Sequence, residues 1–223
     1  GTLDSASAAE QLQAAFLGAD AELRQQLGAD DRSGTTVVAA IVTQPRPAEF
    51  CVQLAHCGDS RAVLSMGGRL TCSVDHKPHR EDEARRINAA GGCVVQGPLG
   101  AGPLRVDGSL AVSRALGDFQ YKEPGVAPCL TKVTAVPEVQ TVAGLAPGDW
   151  LLLACDGIFD VLGNEEVRQF VSERLCVPGA DIGAILVELL RLCLGRGSKD
   201  NCTACLVQFR EGGTAAPRPR ELV

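Results

Sequence analysis

The first part of the chain predicts a long amphipathic helix. Ser7 and Glu10 have the spacing of a capping box, in which each side chain hydrogen-bonds to the other's backbone amide. Apolar residues then recur at intervals of three or four, which is the spacing of one helix face. They are Leu12, Phe16, Ala19, Leu23 and Leu27. Gly28 ends the pattern, so we predict a helix of about five turns between Ser7 and Gly28.

Four short runs rich in apolar and β-branched residues follow this helix. They are Val37 to Val42, Phe50 to Ala55, Arg61 to Ser65 and Arg69 to Cys72. Turn sequences such as Gly58-Asp59-Ser60 and Gly67-Gly68 separate them. The short connections predict an antiparallel meander.

The middle of the chain contains a charged helical pattern and then a segment rich in glycine and proline. Residues 78–90 predict a second helix, with Glu81 to Arg85 and Asp82 to Arg86 at i, i+4 and a solvated charged face. Residues 91–136 are rich in glycine and proline and contain only short apolar runs. This pattern predicts an irregular insertion, for which flexibility and function both remain open.

The last part of the chain returns to regular elements. Two strands, two helices and a final strand are predicted at Val139 to Ala143, Trp150 to Cys155, Asn164 to Leu175, Asp181 to Leu194 and Cys202 to Phe209. The second of these strands is apolar on both faces, so we place it centrally in a sheet. Because the strands are grouped before the helices, we expect α+β packing rather than a parallel βαβ fold. Residues 211–223 predict a disordered tail.

Composition and charge exclude several classes of protein. The chain has 223 residues, 45% hydrophobic and 22% charged, which is typical of one globular domain. Its 21 Lys and Arg against 27 Asp and Glu give a net charge of −6, so nucleic acid is not an expected partner. No apolar run is long enough to cross a membrane, and the start lacks a secretion signal pattern. We therefore expect a monomer in the cytoplasm, the nucleus or both.

The ten cysteines indicate reduced thiols rather than a disulfide scaffold, because they are scattered through apolar segments. Cys202 and Cys205 form one C-x-x-C pair. A structural zinc site would need further ligands, and the three histidines, His56, His76 and His79, all lie elsewhere in the sequence.

Four aspartates are the candidate site residues. Asp156 follows a buried apolar strand, where a carboxylate is costly unless it is paired or binds a cation. Asp160 would face the same side if the segment between them is helical. Asp200 and Asp59 lie in polar turns, where either one alone could be an ordinary turn residue.

Together, several aspartate oxygens without a neighbouring His or Cys favour Mg²⁺ or Mn²⁺. A pair of such cations activates water and neutralises phosphate oxygens during in-line displacement, so no side-chain nucleophile is required. The chain contains no G-x-S-x-G, P-loop or H-E-x-x-H motif that would indicate another chemistry.

Several separate segments resemble the metal-dependent protein serine/threonine phosphatases of type 2C, and the animal alpha and beta members most. The matching motifs are Ser33-Gly34-Thr35-Thr36, His56-Cys57-Gly58-Asp59-Ser60-Arg61, Asp75-His76-Lys77-Pro78, GSLAVSRALGD from Gly108 to Asp118, ACDGIFDV from Ala154 to Val161, and Ser198-Lys199-Asp200-Asn201. They occur in the order of the family, between about residues 33 and 209. The resemblance implies an antiparallel β-sandwich flanked by helices, within a catalytic domain at residues 1–210.

The resemblance also implies roles for individual residues. Asp156 and Asp200 would bind a dinuclear Mg²⁺ or Mn²⁺ centre, and Asp59 and Asp160 would hold a third ion. A metal-activated water would hydrolyse phosphoserine and phosphothreonine in phosphoprotein substrates. Residues 75–138 would include a flap beside the site. Arg114 and Asp118 would form a structural pair, and His76 would be structural.

The start of the chain departs from the family pattern. The family's phosphate-binding Arg and its Asp-Gly-His-Gly-Gly motif, with a bridging metal ligand and an acid histidine, do not occur in this sequence. The sequence therefore predicts a catalytic domain that is incomplete at its amino terminus, a fragment of a longer phosphatase with little activity alone. The alternative is a pseudophosphatase or phosphoprotein-binding module that does not catalyse.

Overall fold

A computed structural model describes residues 5–28, 31–98, 100 and 102–211. Its helices are α1 (Ser5–Gln26), α2 (Glu81–Ala89), α3 (Asp156–Phe159), α4 (Asn164–Leu175) and α5 (Ile182–Gly195). Its strands are β1 (Gly34–Thr35), β2 (Val37–Arg46), β3 (Glu49–Cys57), β4 (Arg61–Met66), β5 (Arg69–Cys72), β6 (Val94–Gln96), β7 (Leu104–Val106), β8 (Leu116–Gly117), β9 (Glu138–Leu145), β10 (Trp150–Ala154) and β11 (Ala204–Gln208). The predicted tail falls almost entirely outside the described residues.

Two antiparallel sheets form the centre of the molecule. One has the strand order β11-β10-β4-β5, and the other has the order β2-β3-β9. β10 is hydrogen-bonded on both sides, to β11 and to β4, which confirms the central position predicted from its two apolar faces. Two further pairs of very short strands, β1 with β8 and β6 with β7, lie outside these sheets.

The alternation of side chains along the strands builds three layers of core. The inner faces of the two sheets meet in a cluster formed by Val52, Leu54, Ala62, Leu64, Leu145, Leu151 and Phe209. The opposite face of β4 and β10, including Val63 and Leu152, packs against α3, α4 and α5. On the far side, Ala55 and Cys57 of β3 pack against Leu12 and Phe16 of α1. The predicted α+β fold, an antiparallel sandwich flanked by helices, is confirmed.

The predicted single meander is wrong. β3 pairs with β9 and not with β4, so the chain leaves one sheet and enters the other within the turn that follows Cys57. Gly58 makes this crossing with a φ of 110°, and a Cβ at this position would lie 2.3 Å from Cγ2 of Thr36. A positive φ in such a confined place requires glycine.

The predicted capping box at the start of α1 is also wrong. The helix already includes Ser5, so Ser7 lies inside it rather than at its cap. The Ser7 hydroxyl instead accepts a hydrogen bond from Gln11 Nε2 at 3.3 Å, one turn further along. The apolar face was identified correctly, because Leu12 and Phe16 are buried.

The segment between α2 and β9 is irregular, as predicted, but it has a core of its own. This core contains Ile87, Val106, Val112, Ala115 and Val133. Among the described residues, no helix is long and apolar enough to span a bilayer. All ten cysteines are free thiols.

Candidate metal centre

Two of the predicted site aspartates lie on one helical turn at the end of β10. Asp156 is the first residue of α3, and the Asp160 amide donates to the Asp156 carbonyl at 2.8 Å. The helical connection required for the two carboxylates to share one side is therefore present. Asp156 is half-buried and Asp160 is exposed.

The loop that carries Asp200 packs directly on this turn. The Ser198 hydroxyl donates to the Gly157 carbonyl at 2.7 Å. A Cβ on Gly157 would lie only 2.3 Å from the carbonyl oxygen of Asn201, so the two backbones touch. This close approach brings residue 200 to the same end of the sandwich as Asp156.

Asp59 reaches the same place from the turn where the chain crosses between the sheets. Its side chain is buried and accepts a hydrogen bond from Lys77 Nζ at 2.5 Å. The neighbouring Gly58 is held by His76 twice: the Gly58 amide donates to His76 Nδ1 at 3.1 Å, and the His76 amide donates to the Gly58 carbonyl at 2.9 Å. The motif that contains Lys77 thus fixes the turn that presents Asp59.

The charges of the three other aspartates act on Asp156. The pKa of Asp156 is raised, first by burial and then by the negative charges of Asp59, Asp160 and Asp200, with Lys77 acting in the opposite direction. One lysine is too little positive charge to neutralise four acids. A bound divalent cation would relieve this repulsion, and the oxygen donors suit a hard ion.

A second polar cluster was not predicted from the sequence. The rings of His56 and His76 stack with centroids 4.5 Å apart, and their Nε2 atoms lie 3.4 and 3.2 Å from Glu138 Oε2. These three ligand atoms are close enough together for a metal ion. The signals in the sequence were His56 and His76, each of which lies in a family motif, but nothing indicated that they meet Glu138.

The hydrogen bonds of this cluster nevertheless favour a structural role. His76 Nδ1 accepts from Gly58, so the proton of its neutral ring is on Nε2, facing Glu138. His56 Nε2 donates to the Val74 carbonyl at 3.0 Å. Burial, with the charges of Arg114 and His56, lowers the pKa of His76 to about 3. Neither Nε2 offers a lone pair, and the cluster instead ties the Asp59 turn to β9.

The predicted pair of Arg114 and Asp118 does not form. Arg114 donates to Glu83 Oε1 at 2.7 and 3.0 Å and to the Val136 carbonyl at 3.0 Å. Asp118 has a φ of 51° and lies against Gly34. The pairing was inferred from a four-residue spacing that brings side chains together only in a helix, whereas strand β8 lies between these residues.

The α2 charges are likewise not all on a solvated face. Arg85 and Glu81 form the predicted exposed pair at 2.7 Å. Asp82 pairs with Arg80 rather than with Arg86. Glu83 is buried, because the segment that follows α2 folds back over it.

Comparisons with known proteins give a family match over most of the chain. Residues 2–202 match the family model described as protein phosphatase 2C. The chain is 44% identical over 214 residues to probable protein phosphatase 1N of Mus musculus, covering 95% of the chain and 49% of that protein. It is 41% identical over 181 residues to protein phosphatase 1B of Bos taurus, covering 80% of the chain and 35% of that protein.

The fold comparison gives the same result. A crystal structure of a phosphatase from Toxoplasma gondii superposes with a TM-score of 0.78 at 30% identity, covering 91% of this chain and 75% of that chain. The chain spans about half the length of the mouse relative and about a third of the length of the bovine one. The family model covers most of the sequence, and the chain therefore belongs to the protein phosphatase 2C family of protein serine/threonine phosphatases.

Proposed function

We propose that the protein hydrolyses phosphoserine and phosphothreonine in proteins, using Mg²⁺ or Mn²⁺ held by Asp59, Asp156, Asp160 and Asp200. The observation that carries this proposal is that the Asp200 loop packs on the turn that holds half-buried Asp156 and Asp160, where the charges of Asp59, Asp160 and Asp200 raise the pKa of Asp156. An uncompensated acidic cluster of this kind destabilises a fold unless it serves a ligand. Family membership supports phosphate esters as substrates.

The donor set fits the proposed cations. Carboxylate oxygens are the ligands that Mg²⁺ and Mn²⁺ prefer, and no imidazole or thiol is needed. When bound, such ions polarise water and offset the negative charge of a phosphoryl group. Asp156 and Asp200 would hold the principal ions, and Asp59 and Asp160 a further one.

Other side chains of this protein would keep these carboxylates in place. Lys77 orients Asp59 through its 2.5 Å contact. Arg61 binds Asp75 through Nε at 2.8 Å and Nη2 at 2.7 Å, and its Nη1 donates to Asn164 at 2.6 Å. Arg61 thereby joins β4, the segment that begins at residue 75 and the start of α4.

We propose that the segment of residues 75–138 is the flap that shapes access for phosphoprotein substrates.

The first test is Mn²⁺-dependent hydrolysis of a phosphothreonine peptide by the wild-type protein and by Asp156→Asn. Changing an outer-sphere partner of a metal ligand costs about 10- to 100-fold, so loss of a ligand is expected to cost at least about 100-fold. Asp181→Asn is the matched control. Asp181 caps α5, and asparagine is an equally good cap, so activity should not change.

Because little activity is expected from the 223-residue chain alone, the assay should also include the longest product of its gene, in which the loss in Asp156→Asn can be measured. Equal activity in Asp156→Asn and wild type would contradict the proposed metal site. Manganese binding without turnover in every form would contradict the proposed hydrolysis and favour the phosphoprotein-binding alternative.

A further inference from the structure

Three thiols lie immediately behind the proposed metal centre. Cys155 precedes Asp156, Cys202 follows Asp200 by two residues, and Cys193 lies on α5. Cys155 Sγ lies 3.2 Å from both the Asn201 carbonyl and the Thr203 amide. The proposed hydrolysis uses none of these thiols.

Cys193 and Cys202 lie in the same layer of the core. Both belong to the cluster between β10 and α5, in which Cys193 is fully buried and Cys202 partly buried. Ser198 links them, because its amide donates to the Cys193 carbonyl at 3.1 Å and its hydroxyl lies 3.5 Å from Cys202 Sγ.

The two thiols differ in their access to solvent. Burial, followed by the neighbouring Cys202 and Cys155, raises the pKa of Cys193 to about 11, so this residue stays protonated. Cys202 is at the surface end of the pair. An oxidant from solvent therefore meets Cys202 first, and Cys193 is placed to react with the product.

We propose that Cys202 and Cys193 are a modification site at which a peroxide forms a reversible disulfide. The peroxide oxidises the Cys202 thiol to a sulfenic acid and is reduced to water. The Cys193 sulfur then attacks the Cys202 sulfur, the S–O bond breaks, and a second water leaves with the Cys193 proton. Two thiols and one hydrogen peroxide thus give one disulfide and two waters.

The disulfide would disturb the loop that carries Asp200. In the reduced protein, Cys202 Sγ lies 3.4 Å from the Gly157 carbonyl, which also accepts from Ser198. A bond to Cys193 takes the sulfur away from this carbonyl and pulls the loop toward α5. We expect the oxidised protein to bind Mn²⁺ at least about 10-fold more weakly, the range seen for lost supporting contacts. This consequence rests on the proposed metal site, whereas the disulfide itself does not.

Peptide mapping tests the disulfide without reference to activity. The protein is treated with hydrogen peroxide, its remaining thiols are blocked, and it is digested with trypsin under non-reducing conditions. The expected product joins peptide 192–196 to peptide 200–210, and dithiothreitol separates them. The second peptide contains Cys205 as well, so two variants are required. The cross-link should persist in Cys205→Ser and disappear in Cys202→Ser.

Three results would overturn the proposal. They are absence of the cross-link, its persistence in Cys202→Ser, and capture of Cys202 by Cys155 instead.

Manganese affinity is then measured for the oxidised and reduced wild type and for Cys193→Ser. An oxidised protein that binds manganese as tightly as the reduced form would overturn the coupling to the metal centre, even where the disulfide is mapped. Loss of affinity that persists in peroxide-treated Cys193→Ser would do the same.

Discussion

Replacing Glu83 by glutamine is expected to lower the free energy of unfolding by about 3 to 5 kcal/mol, the cost of breaking a buried ion pair from one side. Glu83 is 1% exposed. Its Oε1 accepts from Arg114 at 2.7 Å, and its Oε2 lies 3.0 Å from Arg86 and 2.5 Å from the Ser113 hydroxyl. Glutamine keeps the shape but removes the charge, so both arginines would be left without their shared counter-ion.

The control is Glu81→Gln on the same helix. Glu81 is 90% exposed and pairs with the exposed Arg85, so the expected change is within about 0.5 kcal/mol. Chemical denaturation of the three proteins measures both values. A loss of stability in Glu83→Gln no larger than that in Glu81→Gln would contradict the role of the buried cluster.

The difference between wild type and Glu83→Gln should also depend on pH. Burial acts to raise the pKa of Glu83, but the hydrogen bonds and charge of Arg114 and the charge of Arg86 outweigh it and lower the pKa below its ordinary 4.5. A group whose pKa is lowered by folding contributes its full stabilisation above its pKa in the unfolded chain. That stabilisation is lost as the pH falls through its pKa in the folded protein. The wild-type advantage should therefore be constant near pH 7 and shrink below about pH 4.5.

Replacing Gly157 by alanine is expected to separate the two loops of the proposed metal centre. The new Cβ would lie 2.3 Å from the Asn201 carbonyl oxygen, a contact with backbone that a flexible side chain cannot relieve. The Asp200 loop must therefore move away from Asp156. We expect manganese affinity to fall at least about 10-fold and stability to fall by about 1 to 3 kcal/mol, as in other overpacked sites.

Gly18→Ala is the matched control, since nothing lies within 4 Å of a Cβ at this position in α1. Alanine in an open helical site is expected to raise stability by about 0.5 to 1 kcal/mol and leave the metal centre unchanged. Titration with manganese, followed by calorimetry, compares the two variants. Equal affinity in Gly157→Ala and wild type would show that the close approach does not position Asp200.

The parts of the fold that followed from local pattern were predictable. Alternation and apolar runs placed β10 at the centre of a sheet, and the spacing of Leu12 and Phe16 identified the buried face of α1. The partition of strands between sheets was not predictable in this way, because β3 and β4 are joined by a turn as short as that of a hairpin. Pairing with β9, far away in the sequence, decides which sheet β3 belongs to.

The candidate site was also predictable only in part. Asp156 could be identified from the local cost of a carboxylate after a buried strand, and Asp160 from helical spacing. Asp59 and Asp200 were candidates as acids in polar turns, but neither turn indicates its neighbours, so their place beside Asp156 was supported by the family motifs. The cluster of His56, His76 and Glu138 brings together three strand ends and loops, so spacing in the sequence contained no sign of it. Family motifs and local chemistry thus predict the acidic residues, but not the side chains that hold them in position.

The division of strands between the sheets has a consequence for synthesis on the ribosome. The β2–β3 and β4–β5 hairpins emerge early, but Val52 pairs with Val142 and Val63 pairs with Leu152, which emerge much later. Until then the inner strand of each hairpin lacks its partner and the core-facing residues are exposed, which favours pairing with other chains. Because such distant pairings also form slowly, we expect the nascent chain to depend on chaperones until β10 has left the exit tunnel.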